Sequence, residues 1–311
     1  GNPHSDLKEF WHIGQELDPS SPYAGVYQPN HWPEELPEFK AHMLSIYAQL
    51  EALGKSMLAA LTAPLGLAPD FFEDMANDGN SVYRLLHYPA VAEMDTSQSM
   101  RAAPHADINL ITLLLGATDS GLELLGKDGE WIPVTSTSDE IVLDTGDMMS
   151  RLTNNVFPST VHRVVNPAVQ NTSRYSMPFF LHPHSAARLD CLPQCVGEGG
   201  AKYAPISAGE FLQQRLREIG LVSDSSENSV TVCVRHSPLV PLNAAIGRCS
   251  IRPHCVLNML STSLLCLLKT LTYRKKETRD SARHEVGEKV CEHRSNTKLC
   301  NIRTSSGRYG A

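Results

Sequence analysis

The chain has 311 residues, of which 41% are hydrophobic and 20% charged, with a formal net charge of -7 at pH 7. This is the composition of a globular protein and excludes a wholly disordered chain. The mild acidity gives no electrostatic reason to expect nucleic-acid binding, and we predict none.

The charge is divided unevenly along the chain. Residues 1–221 contain 13 basic and 27 acidic residues, whereas residues 222–311 contain 14 basic and 7 acidic ones. Only Cys191 and Cys195 fall in the first part, too few for a disulfide framework. Residues 1–30 contain no basic start followed by an apolar core. We therefore predict a cytoplasmic protein whose composition changes near residue 221.

The first predicted element is an amphipathic helix over residues 38–63, because apolar residues recur there at three- and four-residue steps. These residues are Phe39, Met43, Ile46, Leu50, Leu53, Met57 and Leu61. Pro37 suits the first turn and Pro64 stops the pattern. A short second helix is predicted to start near Pro69. Together they predict a helical layer packed against a core formed elsewhere.

After residue 80, short apolar runs alternate with turn residues, which is typical of an all-β sandwich or barrel. The predicted strands are residues 82–88, 108–115, 122–125, 131–134, 141–143, 160–165 and 175–181. A last helix begins after Ser207, whose spacing to Glu210 is that of a capping box, and stops at Gly220. The pattern predicts an antiparallel barrel or jelly roll with flanking helices.

The residues with the clearest chemistry are His105 and Asp107. Residues two apart in a strand point to the same face, so an imidazole and a carboxylate can converge there on one ion. The tripeptide alone is also typical of a polar strand edge, so a third ligand is needed. His162 is a candidate, although a lone histidine in an apolar strand is more often a hydrogen-bonded core residue. Two histidines and one carboxylate form the ligand set of non-haem Fe(II) oxygenases.

Arg174 and Ser176 are the second candidate pair. They too are two residues apart in a predicted strand, so a guanidinium and a hydroxyl can reach one carboxylate, for which arginine offers a bidentate fork. The alternative is a surface arginine on a barrel strand.

A family resemblance joins these residues. The motifs that carry it, in chain order, are RLLHYP (84–89), PHAD (104–107), LITLL (110–114), GLEL (121–124), GEWIPV (129–134), GDM (146–148), LTN (152–154), HRV (162–164) and RYSMPFF (174–180). This series closely resembles the isopenicillin N synthase-like branch of the Fe(II)/2-oxoglutarate-dependent dioxygenases. The strongest match covers residues 81–182, and a looser one runs from the N-terminus to about residue 221.

The resemblance implies a role for each candidate. The implied iron ligands, which are also the implied catalytic residues, are His105, Asp107 and His162. The residues implied to bind the co-substrate 2-oxoglutarate are Arg174 and Ser176, which hold its distal carboxylate, and Tyr88. Leu86 stands where relatives commonly have Asn, so that side of the co-substrate pocket differs from the family pattern.

The fold implied is mainly β with flanking α, a double-stranded β-helix (jelly roll) with an N-terminal helical layer. We expect three regions. Residues 1–80 would form the N-terminal helical region, in which part of the family N-terminus is expected to be missing. Residues 81–221 would form the Fe(II)/2-oxoglutarate core with its C-terminal helix. Residues 222–311 would be a basic, Cys-rich, poorly ordered extension.

The activity implied is that of a non-haem Fe(II) dioxygenase, which uses O₂ and couples oxidative decarboxylation of 2-oxoglutarate to hydroxylation, desaturation or cyclisation of a small molecule. One alternative is an oxidase resembling isopenicillin N synthase itself, which uses iron and O₂ without 2-oxoglutarate. The other is a catalytically silent barrel that acts as a binding module. Oligomeric state and substrate identity stay open.

Several other features have simpler interpretations. His182 and His184 follow the last predicted strand and are expected to lie in a loop without metal, and the residues around Gly146 are expected to form a turn. Substrate contacts are expected from residues 1–35 and the 90–103 loop. The candidates in that loop are Met94, Met100 and Arg101.

The C-terminal part fits no standard module. Its Cys and His spacings lack the paired pattern of a zinc site. Residues 255–273 are apolar but interrupted by polar residues, so they make a marginal membrane helix. We predict a non-catalytic extension and no membrane partner.

Overall fold

The structure, a computed structural model, describes residues 6–90, 99–135, 140–167 and 172–222. Its helices are α1 (Phe39–Thr62), α2 (Phe71–Ala76), α3 (Asp147–Leu152) and α4 (Ala208–Glu218). Its strands are β1 (Glu9–Gly14), β2 (Val82–Tyr88), β3 (Ala102–His105), β4 (Ile111–Leu115), β5 (Leu122–Leu125), β6 (Trp131–Pro133), β7 (Ile141–Thr145), β8 (His162–Val164) and β9 (Arg174–Leu181).

The strands form two antiparallel sheets. The larger has the order β1-β2-β9-β4-β7, and the smaller has the order β3-β8-β5-β6. Strands adjacent in sequence are therefore often in different sheets: the chain crosses from β3 in the smaller sheet to β4 in the larger one. This architecture confirms the predicted mainly β fold of jelly-roll type.

Helix α1 covers one face of the larger sheet. The predicted apolar stripe is buried as far as Leu50, whereas Leu53, Met57 and Leu61 are only half-buried and Leu58 is buried in their place. The ring of Tyr47 packs edge-on against Phe179 of β9, with centroids 5.1 Å apart. The helix approaches the sheet closely at Gly54, where an added Cβ would meet the side chain of Leu181. Each fully buried side chain in this layer contributes roughly 1.5–3 kcal/mol. The predicted helical layer is thus part of the same core as the sheet.

The opposite face of the larger sheet carries polar side chains. Side chains alternate along β9, so Phe179 and Leu181 face α1 while Arg174, Ser176 and Phe180 face the other way. Neighbouring strands follow the same rule: Tyr88 lies opposite Arg174, and Thr112 lies opposite Phe180. We call this second face the inner face.

The C-terminal helix α4 begins as its sequence predicts. The side-chain oxygen of Ser207 accepts a hydrogen bond from the backbone N–H of Glu210, and the Glu210 carboxylate accepts one from the N–H of Ser207 at 3.0 Å. These reciprocal contacts satisfy donors that a helix start leaves unpaired. Gly220 follows the helix with φ of 76°, the left-handed conformation that glycine adopts at little cost.

Three elements were not predicted, namely β1, β3 and α3. Strand β3 contains Pro104, which cannot donate to a ladder, and α3 is only six residues long. Three predicted strands are shorter than expected, since β4 begins at Ile111, β6 ends at Pro133 and β8 spans only His162–Val164.

In the ranges given above, none of the helices has the length and apolar character needed to cross a bilayer. The extension predicted over residues 222–311, with its marginal membrane segment, lies outside the described residues except for Val222.

Candidate active site

Two histidines and one aspartate converge between the sheets. Ligand atoms of His105, Asp107 and His162 all lie within 4.8 Å of one another, the one such cluster of His, Cys, Asp or Glu in the described ranges. The imidazole rings have centroids 4.4 Å apart, and Nε2 of His162 is 3.9 Å from Oδ1 of Asp107. The structure therefore brings together the three residues singled out in the sequence.

Strand register places the two histidines side by side. His105 ends β3 and pairs across the ladder with His162, the first residue of β8. Ala102 pairs with Val164 and His105 pairs with His162, so β3 has one more residue between the two pairs than β8 has. Strand β3 therefore contains a β-bulge. Bulges re-aim side chains and are common beside functional sites. Here the bulge contains Pro104 and directly precedes His105.

The predicted position of Asp107 on a strand is wrong. Asp107 lies in the connection between β3 and β4, so period-two alternation does not explain its direction. Hydrogen bonds hold it instead: Thr112 Oγ1 donates to Asp107 Oδ2 at 2.5 Å, and Asn109 Nδ2 lies 2.8 Å from the same hydroxyl. The Asp107 carbonyl also accepts from the backbone N–H of Asp147 at 2.7 Å. Asp107 is buried, so these contacts fix its carboxylate.

Both imidazoles are oriented by backbone carbonyls. Nδ1 of His105 lies 2.7 Å from the oxygen of Ala103, and Nδ1 of His162 lies 3.2 Å from that of Thr160. A carbonyl oxygen can only accept, so these contacts favour a proton on Nδ1 and leave Nε2 with its lone pair available to a metal.

The electrostatics keep the cluster ready for a cation. The pKa of His105 is lowered, first by partial removal from bulk water and then by the nearby His162, although the residue stays exposed. At neutral pH this imidazole is therefore the neutral form that coordinates metals. Burial raises the pKa of Asp144, whose carboxylate lies 3.7 Å from Nδ1 of His162.

A second group of polar residues lies on the inner face of the larger sheet. Arg174, Ser176 and Tyr88 are all buried, and the Arg174 guanidinium lies 5.1 Å from the centre of the Tyr88 ring. Arg174 Nε donates to the carbonyl of Asp119 at 3.1 Å. Its Nη1 is buried and has no hydrogen-bond partner among the described residues. A buried guanidinium with an unused N–H is suited to bind an anion such as a carboxylate.

Sequence reasoning missed several contributors to this region. Thr112 and Asn109 support Asp107, and the only available signal was their place in or beside the LITLL motif. On the inner face, Arg84 lies over the rings of Phe10 and Phe180, at 5.2 and 4.9 Å from their centres. Phe10 belongs to β1, which was not predicted.

The substrate-contact candidates have different outcomes. Arg101 is 1% exposed and lies near Arg174, so the structure gives it a buried position. Met100 is partly buried, and its carbonyl accepts a backbone hydrogen bond from Leu7. Met94 lies outside the described residues.

The residues around Gly146 form more than a turn. Asp144 is part of β7, and Gly146 directly precedes α3. His182 and His184 do lie after β9 as predicted: His182 is buried, and Nδ1 of His184 is 2.7 Å from the hydroxyl of Tyr23.

Comparisons with known proteins support the interpretation of these residues as an iron site. Residues 79–183 match the 2OG-Fe(II) oxygenase superfamily. The chain is 32% identical over 221 residues to the 2-oxoglutarate-Fe(II) type oxidoreductase hxnY of Emericella nidulans, covering 67% of this chain and 62% of that protein. It is 33% identical over 222 residues to the 2-oxoglutarate-dependent dioxygenase citB of Monascus ruber, covering 68% and 67%.

Solved structures give the same result. A 2OG-Fe(II) oxygenase family protein from Caulobacter crescentus superposes with a TM-score of 0.65 at 48% identity, covering 70% of this chain and 72% of the other. A full-length Neurospora crassa protein, solved in complex with alpha-KG, superposes with a TM-score of 0.62 at 33% identity, covering 70% and 67%.

A jelly roll with a two-histidine, one-carboxylate cluster defines the class of non-haem iron oxygenases. The chain belongs to the 2OG-Fe(II) oxygenase superfamily. This confirms the predicted superfamily and, with the donor set of the cluster, its cofactors Fe(II) and 2-oxoglutarate. The chain spans a little under two thirds of the length of the first curated relatives it matches, 62% and 65%.

Proposed function

We propose that this protein couples the oxidative decarboxylation of 2-oxoglutarate to the hydroxylation of a small organic molecule, with desaturation or cyclisation as related outcomes. The observation that carries the proposal is the placement of the His105–Asp107–His162 cluster with the buried Arg174 guanidinium on the inner face. One part supplies metal ligands, and the other supplies a cation with an unused N–H.

Each residue has a defined task in this proposal. His105 and His162, through their Nε2 lone pairs, and Asp107, through a carboxylate oxygen, would hold Fe(II). Arg174 and Ser176 bind the distal carboxylate of 2-oxoglutarate. The ring of Tyr88, 5.1 Å from the Arg174 guanidinium, would help to hold it in place beside the co-substrate.

When bound, iron with 2-oxoglutarate supplies the O₂ chemistry, and the protein contributes position and exclusion of water. The protein positions the metal ligands in two ways: the Thr112 hydroxyl holds the Asp107 carboxylate, and backbone carbonyls orient the imidazoles of His105 and His162. It excludes water because Leu86 and Tyr88 are buried beside Arg174 and Ser176, in one apolar cluster with Ala102 and Val164.

We also propose a family branch, a cellular location and bounds for the regions of the chain. The order of the sequence motifs supports a place in the isopenicillin N synthase-like branch. A cytoplasmic location is supported by Cys191 and Cys195, which are free thiols. We propose residues 81–221 as the catalytic core and α1 and α2 as its helical layer, which is supported by the packing of α1 on the larger sheet. Strand β1, also within residues 1–80, would complete that sheet. Residues 222–311 would be an extension outside the reaction.

The experiment is anaerobic reconstitution with Fe(II), with and without 2-oxoglutarate. A weak visible absorption band is expected only when both are present. After admission of air, succinate is expected, measured with small organic trial substrates that include thymine, with which the Neurospora crassa protein was also solved. Iron-dependent oxidation without succinate would instead favour an oxidase that does not use 2-oxoglutarate. Absence of both band and turnover would favour a silent binding module.

His162→Ala is expected to abolish both the absorption band and succinate formation, because it removes one of the three ligands. His42→Ala is the matched control, since His42 lies exposed on α1. Retention of iron binding after loss of both His105 and His162 would contradict the ligand assignment.

A further inference from the structure

A second arginine is buried close to Arg174. Arg101 lies just before β3, and its side chain is 1% exposed. Burying a guanidinium is costly unless it is paired, so its neighbours indicate why it is there. Arg101 and Arg174 are the two bulkiest side chains among the fully buried residues described.

Asp119 connects the two arginines. Arg101 Nη1 lies 3.4 Å from Asp119 Oδ2, which also accepts a hydrogen bond from Thr172 Oγ1 at 2.9 Å. Arg101 Nη2 donates to the Thr172 carbonyl at 2.5 Å. Arg174 uses the same aspartate differently, because its Nε donates to the backbone carbonyl at 3.1 Å. Arg101 therefore holds the Asp119 carboxylate and the segment that leads directly into Arg174.

The local charge is unbalanced. Among the described residues, Arg101 and Asp119 are charged neighbours of Arg174, and of these three groups Asp119 alone carries negative charge. Its side chain is 28% exposed, so solvent already screens part of its charge. Arg101 Nε and Arg174 Nη1 are both buried without a hydrogen-bond partner among the described residues. The surroundings of Arg101 and Arg174 thus carry surplus positive charge and two unused donors, which an anion would satisfy.

We propose that Arg101 is a positioning residue for the distal carboxylate of 2-oxoglutarate. Arg101 pairs with the carboxylate of Asp119, which would otherwise be available to pair with Arg174. Arg101 also binds the backbone carbonyl of Thr172, two residues before Arg174, and so fixes the orientation of the Arg174 side chain. This inference rests on the proposed function, since it concerns the carboxylate that Arg174 and Ser176 are proposed to bind.

The test measures binding rather than turnover. Mn(II)-loaded protein is titrated calorimetrically with 2-oxoglutarate and, separately, with 2-oxobutanoate, which chelates a metal through the same keto acid but lacks the distal carboxylate. Arg101→Met is expected to raise the Kd of 2-oxoglutarate about tenfold or more, the scale on which outer-shell contacts act. The Kd of 2-oxobutanoate is expected to change less than about twofold, because sites that share no partners act almost independently.

Two milder variants cover the case in which Arg101→Met does not fold. Arg101→Lys keeps the charge but loses the fork, and Thr172→Val removes a hydroxyl from an exposed residue. Both are expected to weaken 2-oxoglutarate selectively and by less than Arg101→Met. Unchanged 2-oxoglutarate binding, or parallel weakening of both ligands, would overturn the positioning role. Failure of the wild-type protein to bind 2-oxoglutarate would overturn the proposed function as well.

Discussion

At the scale of single residues, the Asp107 carboxylate depends on one hydroxyl. Thr112 Oγ1 donates to Oδ2 at 2.5 Å and leaves Oδ1 on the side of His162. A hydrogen bond to a charged group contributes about 1.5–3 kcal/mol. Thr112 therefore determines which oxygen of Asp107 is free to bind a metal, although Thr112 is not itself a ligand.

Thr112→Val keeps the shape of the side chain and removes the donor. We expect the affinity for Mn(II), a redox-stable probe of the site, to fall roughly 10–100-fold, as is usual when an outer-shell partner is lost. Calorimetric titration measures the change, and Thr112→Ser should restore most of the affinity.

Thr145→Val is the matched control, because the Thr145 hydroxyl donates to the carbonyl of Pro158 and not to the cluster. Equal Mn(II) affinity in wild type and Thr112→Val would refute the role of this hydrogen bond.

The sequence allowed the identities of the candidate ligands to be predicted, but not the way they are held. His105, Asp107 and His162 have residue types suited to iron and occur in motifs of fixed order. The support of Asp107 by Thr112 depends on a loop conformation that periodicity does not describe. The burial of Arg101 could likewise not be predicted from the sequence, since a charged residue in a loop is normally exposed.

At the scale of elements, the start of α3 is docked on the loop that carries Asp107. The backbone N–H groups of Gly146 and Asp147 donate to the carbonyls of Leu110 and Asp107 at 3.1 and 2.7 Å. The backbones are so close that a Cβ at Gly146 would collide with the carbonyl oxygens of Asn109 and Asp107. Glycine is required here for its lack of a side chain, since its φ of -99° suits any residue.

Gly146→Ala is therefore expected to push α3 away from the Asp107 loop. Overpacking of this kind costs about 1–3 kcal/mol, which urea unfolding should detect. Mn(II) affinity should fall in the same variant, because the Asp107 backbone shifts.

Gly199→Ala is the control, since a Cβ at Gly199 has no neighbour within 4 Å. Wild-type stability and Mn(II) affinity in Gly146→Ala would contradict the docking argument.

The elements that escaped prediction share a physical cause. Long, strongly periodic segments such as α1 are visible in the sequence because their own residues set the pattern. Strand β3 contains a proline and a bulge, and it exists because β8 pairs with it. Helix α3 has only six residues, too few to be stable alone, and is held by the loop before β4. Tertiary contacts decide such elements, so local propensity does not reveal them.

At the scale of the whole molecule, the candidate metal site joins the two sheets. His105 and His162 come from the smaller sheet, whereas Asp107 lies on the crossing that enters β4 of the larger one. A bound ion would therefore link the sheets to each other and stabilise the native state as a unit.

Saturation with Mn(II) at about 100 times its Kd is expected to add roughly 2.7 kcal/mol to the free energy of unfolding. For a domain of this size that corresponds to a rise in Tm of about 5–10 °C. Thermal unfolding with Mn(II) and with a chelator measures the difference.

The rise in Tm should disappear in His162→Ala and persist in His42→Ala. An equal rise in His162→Ala would place the stabilising ion elsewhere.

The pairing of His105 with His162 also has a consequence for kinetics. These residues lie far apart along the chain, and such contacts form late because loop closure precedes them. The ligand set is then complete only after both sheets have assembled. We therefore expect a bound metal to leave the rate of folding almost unchanged and to slow unfolding. In the cell, loss of iron would therefore speed unfolding and shorten the lifetime of the folded protein, while the rate at which the chain folds would hardly change.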